Sequence, residues 1–197
     1  RIGDSEAALN YSKASKDAAI QSGNMYEICN ATLNLGRAEI RMGKQTEGVS
    51  TLMQALHIAR EQNSDYQVAA IQSNLANHYT SLKQYDLASN AASESIQLYK
   101  KAGSRPLDIC RITYSCGLIN METSHFHLCE EQLREALSLA QSCGNREMQR
   151  SCWRELGNLY RVHYRLDDQA NEYYRNFVSI HRELGNPDTQ WIIDNGF

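Results

Sequence analysis

Proline is scarce in this sequence, and long apolar runs are absent. The chain of 197 residues contains 2 Pro and 11 Gly, too few for a disordered or low-complexity chain. No apolar run approaches the about 20 residues that a membrane-spanning helix needs, so we expect no membrane insertion. Residues 1–6 lack a charged segment followed by an apolar one, so we expect no secretory signal.

Charge and cysteine usage exclude further classes. The 20 Lys and Arg residues nearly balance 23 Asp and Glu residues, so there is no basic excess for nucleic-acid binding. The six cysteines include no Cys-x-x-Cys pair, and most fall inside helical patterns. Such cysteines are typical of free thiols in a reducing compartment rather than of a disulfide framework. The sequence therefore predicts a cytoplasmic protein.

A repeat of 40 or 41 residues runs through the chain. It is marked by pairs in which Gly or Asn, residues that tolerate the left-handed helix cap, is followed by a second polar residue: Gly23-Asn24, Asn63-Ser64, Gly103-Ser104, Gly144-Asn145 and Gly185-Asn186. A second break lies midway through each interval, at Gly43-Lys44, Leu82-Lys83, Glu122-Thr123 and Arg165-Leu166. Both prolines follow a marker pair, near the start of the next helix.

Apolar residues fall at three- and four-residue spacing between these breaks, so each repeat is predicted to be two antiparallel helices. The repeats span about 25–64, 65–105, 106–146 and 147–186. First helices are predicted near 25–42, 66–82, 107–121 and 148–164, and second helices near 45–62, 84–102, 124–142 and 167–184. Residues 4–22 read as an unpaired second helix, and 189–197 as the start of another first helix. We therefore expect residues 1–197 to be one array, either part of a longer one or capped atypically.

The residues inside the repeat resemble the tetratricopeptide repeat (TPR) family. Residues 153–160 match its W-x-x-L-G-x-x-Y signature in full, and the equivalent pairs are Leu35-Gly36, Leu75-Ala76 and Cys116-Gly117. The second helices carry small–large–small triplets, namely Gly48/Leu52/Ala55, Ala88/Ala92/Ser95 and Cys129/Leu133/Ala136. The last triplet, Ala170/Tyr174/Phe177, departs by one residue, so we expect its helix to be shifted or locally bulged.

The resemblance implies an all-α, right-handed superhelical solenoid of helix hairpins. Its long period resembles the repeats of Pins/LGN-like polarity adaptors, and those of rapsyn and kinesin light chain are related. The register places these residues in the core: Leu35, Leu52, Leu133, Ala136, Trp153, Leu156 and Tyr160.

By the same resemblance, the first helices line a concave groove that binds a partner. The groove positions by register are Asn30, Arg37, Arg41, Ser73, Asn77, Arg111, Tyr114, Arg154, Asn158 and Arg161. Arginine binds carboxylates bidentately, and asparagine can bond both backbone groups of an extended chain. We therefore predict a non-enzymatic adaptor that binds an extended or helical, acidic segment of a protein partner.

Two alternatives stay open at this point. The arginines can instead be solvated or paired, with Glu39 and Glu155 as neighbours, and exposed pairs contribute little. The chain can also be a structural subunit that assembles through its open ends or convex face. Self-association through the unpaired N-terminal helix and the segment Trp191-Ile192-Ile193 would be one form of such assembly.

Catalytic and metal motifs are not apparent. His125, His127 and Cys129 follow at two-residue spacing, which does not put ligands on one helix face, and no second ligand pair lies at zinc-finger distance. There is no Gly-rich phosphate loop or nucleophile elbow. We therefore predict no enzymatic activity, no metal and no cofactor.

Overall fold

The structure, a computed structural model, describes the backbone of residues 2–194 and the side chains of residues 6–194. This part of the chain is helical, with no strand. The elements in order are α1 (Ile2–Ser22), α2 (Met25–Arg41), α3 (Gln45–Glu61), α4 (Asp65–Ser81), α5 (Tyr85–Lys101), α6 (Pro106–Glu122), α7 (Phe126–Ser142), α8 (Arg146–Asn158), the π-helical segment Leu159–Tyr164, α9 (Asp167–Glu183) and α10 (Gln190–Asp194). The predicted helix at 189–197 begins as α10, and its last three residues lie outside the described range.

The helices form two compact units. The first extends to Gly103 and contains α1–α5, and the second starts at Ser104 and contains α6–α10. Within the units the first and second helices pack as hairpins, α2 with α3, α4 with α5, α6 with α7 and α8 with α9. Helix α1 packs on α2 as the predicted unpaired second helix. The all-α fold of helix hairpins is confirmed, whereas a single array over 1–197 stays a prediction.

Each turn between helices is closed by one residue in the left-handed region. Glycine fills this position at five turns, as at Gly23 with φ of 69°. Asn63, Lys83, Ser124 and Arg165 fill it at the others. The next amide N–H then bonds back to the last helical turn, for example Ser64 N to Ala59 O at 3.0 Å. This pattern satisfies carbonyl groups that the helix leaves without partners.

The residue after the left-handed one caps the next helix with its side chain at three of the turns. The Asn24 side-chain oxygen accepts a hydrogen bond from Tyr26 N at 3.0 Å, and that of Asn145 from Met148 N at 2.9 Å. Ser64 caps α4 in the same way. Three of the five marker pairs seen in the sequence, Gly23-Asn24, Asn63-Ser64 and Gly144-Asn145, therefore both end one helix and cap the next.

The two helices of each hairpin approach most closely at a small residue of the first helix. A Cβ atom on Gly36 would lie 3.0 Å from Leu52 Cδ2, and one on Gly117 would lie 3.0 Å from Leu133 Cδ2. In the fourth hairpin a Cβ on Gly157 would lie 2.5 Å from Cε1 of Tyr174. The second hairpin has Ala76 and Ala92 at the matching positions, both fully buried. At this contact, a large residue on one helix therefore requires a small residue on the other helix.

Six of the seven predicted core residues are buried, and Trp153 is the exception. Leu52, Leu133, Ala136 and Leu156 are fully buried, and Leu35 and Tyr160 are nearly so. Trp153 is half-buried and packs on Tyr173 with 5.8 Å between the ring centroids. It packs against two clusters of buried residues while part of it stays exposed, as is common for so large a side chain.

The predicted shift or bulge of the last second helix is wrong. Helix α9 is regular, and Ala170, Tyr174 and Phe177 hold the same places from its start as the triplets of α3, α5 and α7. The extra residue is in the first helix instead. Second helices start 20 residues after first helices in three hairpins and 21 residues after in the fourth. The π-helical segment Leu159–Tyr164 accommodates this insertion, so the contact between α8 and α9 keeps its register.

A polar network holds the π-helical segment against α7. The Tyr160 hydroxyl donates to Glu130 Oε1 at 2.7 Å, and Arg134 donates to the Tyr160 and Tyr173 hydroxyls at 3.1 and 2.6 Å. Burial opposes ionisation of Glu130, but hydrogen bonds from Tyr160 and Arg134 lower the pKa of this carboxyl below its usual value. The wider turn is therefore anchored by an ionised carboxylate and does not depend on apolar packing alone.

We expect Gly157→Ala to lower the free energy of unfolding by about 1–3 kcal/mol because the new methyl group overlaps the Tyr174 ring. The same substitution is also made in a Tyr174→Ala background, and the double variant reproduces the Ala76–Ala92 pair of the second hairpin. In that background Gly157→Ala should be neutral or stabilising, since alanine favours helix. Urea unfolding of the four proteins measures this coupling. Equal effects of Gly157→Ala in both backgrounds would contradict the assigned contact, as would a Gly157→Leu variant with unchanged stability.

The cysteines give a second prediction. All six are unpaired, five are buried and Cys143 is exposed. Burial raises the pKa of Cys29, Cys110 and Cys116 to about 11 and that of Cys129 and Cys152 to about 12. Because the thiolate is the reactive form, one thiol should react quickly with a disulfide reagent at pH 8 and all six in denaturant. Cys143→Ser should remove the fast phase, and its persistence in that variant would count against this packing.

Candidate partner-binding surface

The first unit has a polar cavity between two first helices. Its volume is about 340 Å³, and it is lined by Arg37, Ile40, Arg41, Asn74, Asn77, His78 and Ser81. Arg37 and Arg41 are one turn apart on α2, and the other polar residues follow at three- and four-residue spacing on α4, so each set shares a helix face. The structure thus brings together three of the predicted groove residues, Arg37, Arg41 and Asn77.

Two side chains that line this cavity donate hydrogen bonds to backbone carbonyls of their own helix. The Asn74 amide donates to Ala70 O at 2.7 Å, and the Ser81 hydroxyl donates to His78 O at 2.6 Å. His78 is 5% exposed, and its Nδ1 has no hydrogen-bond partner in the part of the chain that the structure describes. Burial lowers the pKa of His78, so its imidazole is neutral at pH 7. No carboxylate lines this cavity.

Arg37 and Arg41 also border a second cavity. It lies between α1 and α2, measures about 420 Å³, and is lined by Ala8, Tyr11, Ser12, Ser15, Asn34, Arg37, Ala38 and Arg41. Tyr11 is 77% exposed at its edge. The two arginines therefore stand between two concave regions of the first unit, where a bound chain could contact both.

Asn30 and Ser73 are not in these cavities. The Asn30 side-chain oxygen accepts a hydrogen bond from Gln67 Nε2 at 3.0 Å, and the same Gln67 group donates to Tyr26 O at 3.0 Å. Asn30 therefore helps to join α2 to α4. Ser73 is half-buried on α4 and lines neither cavity.

The second unit has a cavity with a different lining. It measures about 370 Å³ and lies among α8, α9 and the start of α10, lined by Arg150, Arg154, Asn158, Tyr174, Phe177, His181, Thr189 and Trp191. The Trp191 and Tyr174 ring centroids are 4.8 Å apart, with the rings edge to face. The structure brings Arg154 and Asn158 together here with an aromatic wall. This cavity combines guanidinium groups with apolar surface, as ligand sites often do.

Residue size explains why the second-unit cavity forms at this hairpin. At the equivalent positions of the other hairpins, small residues of the two helices face each other. A side chain of one helix there donates a hydrogen bond to a backbone carbonyl of the other. Cys110 Sγ donates to Ala136 O at 3.2 Å, and Ser95 Oγ donates to Ala69 O at 2.8 Å. Arg150 and Phe177 hold the equivalent places in α8 and α9. These larger side chains do not allow the same close contact, and both line the cavity.

Acidic neighbours partly neutralise the arginines of the second unit. Arg154 pairs with Glu155 at 2.7 Å, and Arg150 pairs with Glu147 at 2.6 Å. The Nε2–H of His181 donates to Pro187 O at 3.0 Å, so its Nδ1 is an acceptor that faces Arg150 at 3.4 Å. The Glu155 side chain is largely buried. The interpretation that the groove arginines are paired with acidic neighbours therefore applies to Arg154.

The remaining predicted residues have separate environments. Tyr114 is hydrogen-bonded to Arg154, and burial together with Glu155 raises the pKa of Tyr114 to about 12. Arg161 donates to Asn171 Oδ1 at 2.6 Å and lies over the Tyr174 ring at 4.7 Å from its centroid. Arg161 therefore joins the π-helical segment to α9. Arg111 is exposed on α6.

Sequence reasoning missed several lining residues. Asn74 and His78 lie three residues before and one residue after Asn77, so helical periodicity from that predicted position could have found Asn74. Phe177, His181 and Trp191 could not be found by reading first helices alone, because they come from α9 and α10.

Among residues 2–194, no group of three His, Cys, Asp or Glu side chains could hold a metal ion. Cys129 is fully buried at the small position of its triplet. In the same range, no helix combines the length and apolar character that a membrane crossing requires.

We expect Glu155→Gln to lower the free energy of unfolding by about 1–3 kcal/mol. The carboxylate accepts from both Arg154 Nε and Asn158 Nδ2, each at 2.9 Å, and an amide offers only one acceptor oxygen. Glu147→Gln is the matched control because Glu147 is 60% exposed in its pair with Arg150, and it should change stability by less than about 1 kcal/mol. Equal effects in thermal or urea unfolding would contradict the structural role of Glu155.

Comparison with known proteins supports the fold. Residues 27–101 match the family model described as tetratricopeptide repeat. BtubC (BKLC) from P. vanneervenii has a TM-score of 0.80 at 20% identity, covering 93% of this chain and 77% of that chain. Repeats of a putative kinesin light chain from Podosopora anserina have a TM-score of 0.70 at 16% identity, with 93% and 89% covered.

A third solved structure, the apo form of RapI, has a TM-score of 0.68 at 12% identity and covers 92% of this chain and 78% of that chain. No curated protein matches the sequence. These identities establish the fold alone. Residues 27–101 are thus similar in sequence to tetratricopeptide repeats, and the chain shares the fold of these solved helical-repeat structures.

Proposed function

We propose that the protein is a non-enzymatic adaptor that binds an acidic, extended or helical segment of a partner protein on its first helices. Tetratricopeptide repeats mediate protein–protein interaction and scaffolding, and 27–101 carries their sequence pattern. The observation that supports the acidic partner is the first-unit cavity, in which Arg37 and Arg41 face the amides of Asn74 and Asn77 with no carboxylate in the lining. Arginine forks and amides match carboxylates and peptide groups.

The second unit supplies a weaker electrostatic site with more apolar contact. An acidic ligand there competes with Glu155 for Arg154, which reduces the net gain from the guanidinium group. Trp191 and Phe177 offer apolar surface beside it. We propose that charge in the first unit and aromatic contact in the second contribute different parts of the affinity for the partner.

The length of the repeat suggests the class of adaptor. The chain shares its long period with Pins/LGN-like adaptors in sequence pattern, and its fold with kinesin light chain repeats. We propose a role in cytoskeletal or polarity-linked assembly on this basis. A reducing, cytoplasmic location fits the six unpaired thiols, and no cofactor or nucleic acid is part of the proposal.

A second candidate is a structural subunit that assembles through its surface rather than through the first helices. The observation in its favour is the apolar exposure on α1, where Tyr11 is 77% and Ile20 is 53% exposed. Association of copies through such a surface depends on apolar burial and is less sensitive to salt than binding through arginine.

The test compares two variants of equal charge. Replacing Arg41, Arg111 and Arg154 by Gln removes three charges from first helices. The matched control replaces Lys13, Lys44 and Arg175, which are exposed and lie outside the first helices. We expect the first variant to weaken capture of cytosolic partners at least about tenfold, because each charge-assisted hydrogen bond contributes about 1.5–3 kcal/mol. The control should bind as the original chain does, and binding should weaken from about 0.05 to 0.5 M salt.

Equal capture by both variants would overturn the proposal that first-helix arginines bind the partner. A mass that rises with protein concentration in sedimentation equilibrium, unchanged by salt, would support the structural subunit instead. Circular dichroism of both variants establishes that a loss of binding is not a loss of fold.

A further inference from the structure

The cavity between α1 and α2, called the α1–α2 cavity below, is lined by a face of α1 that other second helices bury. Ala8, Ser12 and Ser15 line it. They lie 40 residues before the triplet of α3, and the same interval separates the turn residues Gly23 and Asn63. In α3, α5 and α7 the triplet is buried, and each of these helices packs on the first helix of its hairpin. The α1–α2 cavity therefore lies where a first helix would pack on α1.

The exposure of α1 side chains shows that this position is open in the described part of the chain. Tyr11 is 77% exposed, whereas the equivalent residues Thr51 and Ala91 are 8% and 7% exposed. Ala8 is exposed, and its equivalent in α5, Ala88, is fully buried. A helix laid on this face would remove the Tyr11 ring from water, which is favourable for an apolar surface.

The α2 side of the cavity indicates the same position for a first helix. Four α2 residues line the α1–α2 cavity, and each lies 40 residues before an α4 residue that lines the cavity between α2 and α4: Asn34, Arg37, Ala38 and Arg41 precede Asn74, Asn77, His78 and Ser81. Helix α2 therefore borders the α1–α2 cavity with the face that α4 turns toward its own preceding first helix. A helix in this cavity would contact α1 as α2 contacts α3, and α2 as α2 contacts α4.

Small residues on α1 define the contact surface of the helix that fits. Ala8, Ser12 and Ser15 are all small, as are their equivalents in α5, which are Ala88, Ala92 and Ser95. Helix α5 packs on α4, where Ala76 faces Ala92, and Ser95 Oγ donates to Ala69 O at 2.8 Å. Ser15 holds the position of Ser95. The fitting helix therefore resembles α4, with small residues on the side that approaches α1.

Charge on the α2 side adds a second requirement. Arg41 is exposed at the C-terminal end of α2 and lines the cavity. None of the described residues that line the cavity is acidic. A helix that lies alongside α2 in the same direction would bring its last turn near Arg41, so an acidic residue in that turn is favoured.

We propose that the α1–α2 cavity binds an amphipathic α-helix of a partner protein, which takes the position of a first helix. Small residues of the bound helix pack on Ala8, Ser12 and Ser15 and cover Tyr11, and an acidic residue in its last turn lies near Arg41. The bound helix forms a hairpin with α1 and adds one member to the row of first helices. This contact with α1 goes beyond the proposed function, which assigns partner binding to the first helices.

The probe is a capped, fluorescein-labelled peptide with the sequence of residues 65–82, because α4 packs on a triplet of small residues like that of α1. Fluorescence anisotropy measures its affinity for the full chain, and circular dichroism measures the helicity of the mixture. We expect saturable binding with a gain in helicity, since a free peptide of this length is only marginally helical in water. A lactam-stapled form, with the staple on the face away from α1, should bind more tightly because less order is lost on binding.

A size change at Ser12 tests the contact with α1. Ser12→Leu gives this position the residue type of Leu52, which packs on Gly36, so it should weaken binding of the peptide, with its Ala76, about tenfold. An Ala76→Gly peptide should bind the original chain about fivefold less tightly, because glycine disfavours helix. It should bind the Ser12→Leu chain no less tightly than the unchanged peptide does. Lys13→Leu is the matched control, since Lys13 is exposed on α1 outside the cavity lining, and it should leave binding unchanged.

A charge change at the end of the peptide tests the contact with α2. A Ser81→Glu peptide should bind at least about threefold more tightly than a Ser81→Lys peptide at low salt. This ratio should fall toward one with the Arg41→Gln chain, and also at high salt.

Absence of binding by both the linear and the stapled peptide would refute the helix site, as would equal binding to the Ser12→Leu and Lys13→Leu chains. A mass that rises with chain concentration, and no longer rises in Ser12→Leu alone, would show that a second copy occupies the cavity and would overturn the partner helix. Equal affinity of the Ser81→Glu and Ser81→Lys peptides would overturn the acidic preference. If Ser12→Leu loses helicity, Ala8→Leu replaces it.

Discussion

The close approach of two helices at a small residue is the contact on which the rest of this structure depends. Gly36, Gly117 and Gly157 each leave room for a large side chain from the second helix, and Ala76 does so for a small one. Within each unit the first helices of neighbouring hairpins also contact each other, α2 with α4 and α6 with α8. The first-unit cavity lies between one such pair of first helices.

Variation in the hairpins then creates local differences in chemistry. The fourth hairpin has Arg150 and Phe177 where the others have small residues, and it has a cavity with an aromatic wall. The first unit keeps small residues at these places, and its cavity lies between neighbouring first helices instead. The two units therefore carry cavities of different chemistry, one lined by arginine and amide side chains and one that also has aromatic rings.

The fourth hairpin accommodates one inserted residue and keeps the contact between its two helices. The π-helical segment Leu159–Tyr164 takes up the extra residue, and Arg165 closes the turn in the left-handed region. Hydrogen bonds from Tyr160 and Arg134 to Glu130 hold this wider turn in place. The sequence shows that the fourth repeat has one extra residue. The length of the repeat does not say which of its two helices contains that residue, since either helix could bulge to accommodate it.

Local signals determined the helices, their turns and most of the core. Glycine and asparagine pairs act through backbone conformation and capping, and apolar spacing through helical geometry, so both can be read without a structure. The pairing of Arg154 with Glu155, the burial of His78 and the lining by Trp191 were decided by tertiary structure. These features depend on contacts and burial between distant side chains, for which sequence spacing along one helix carries no information.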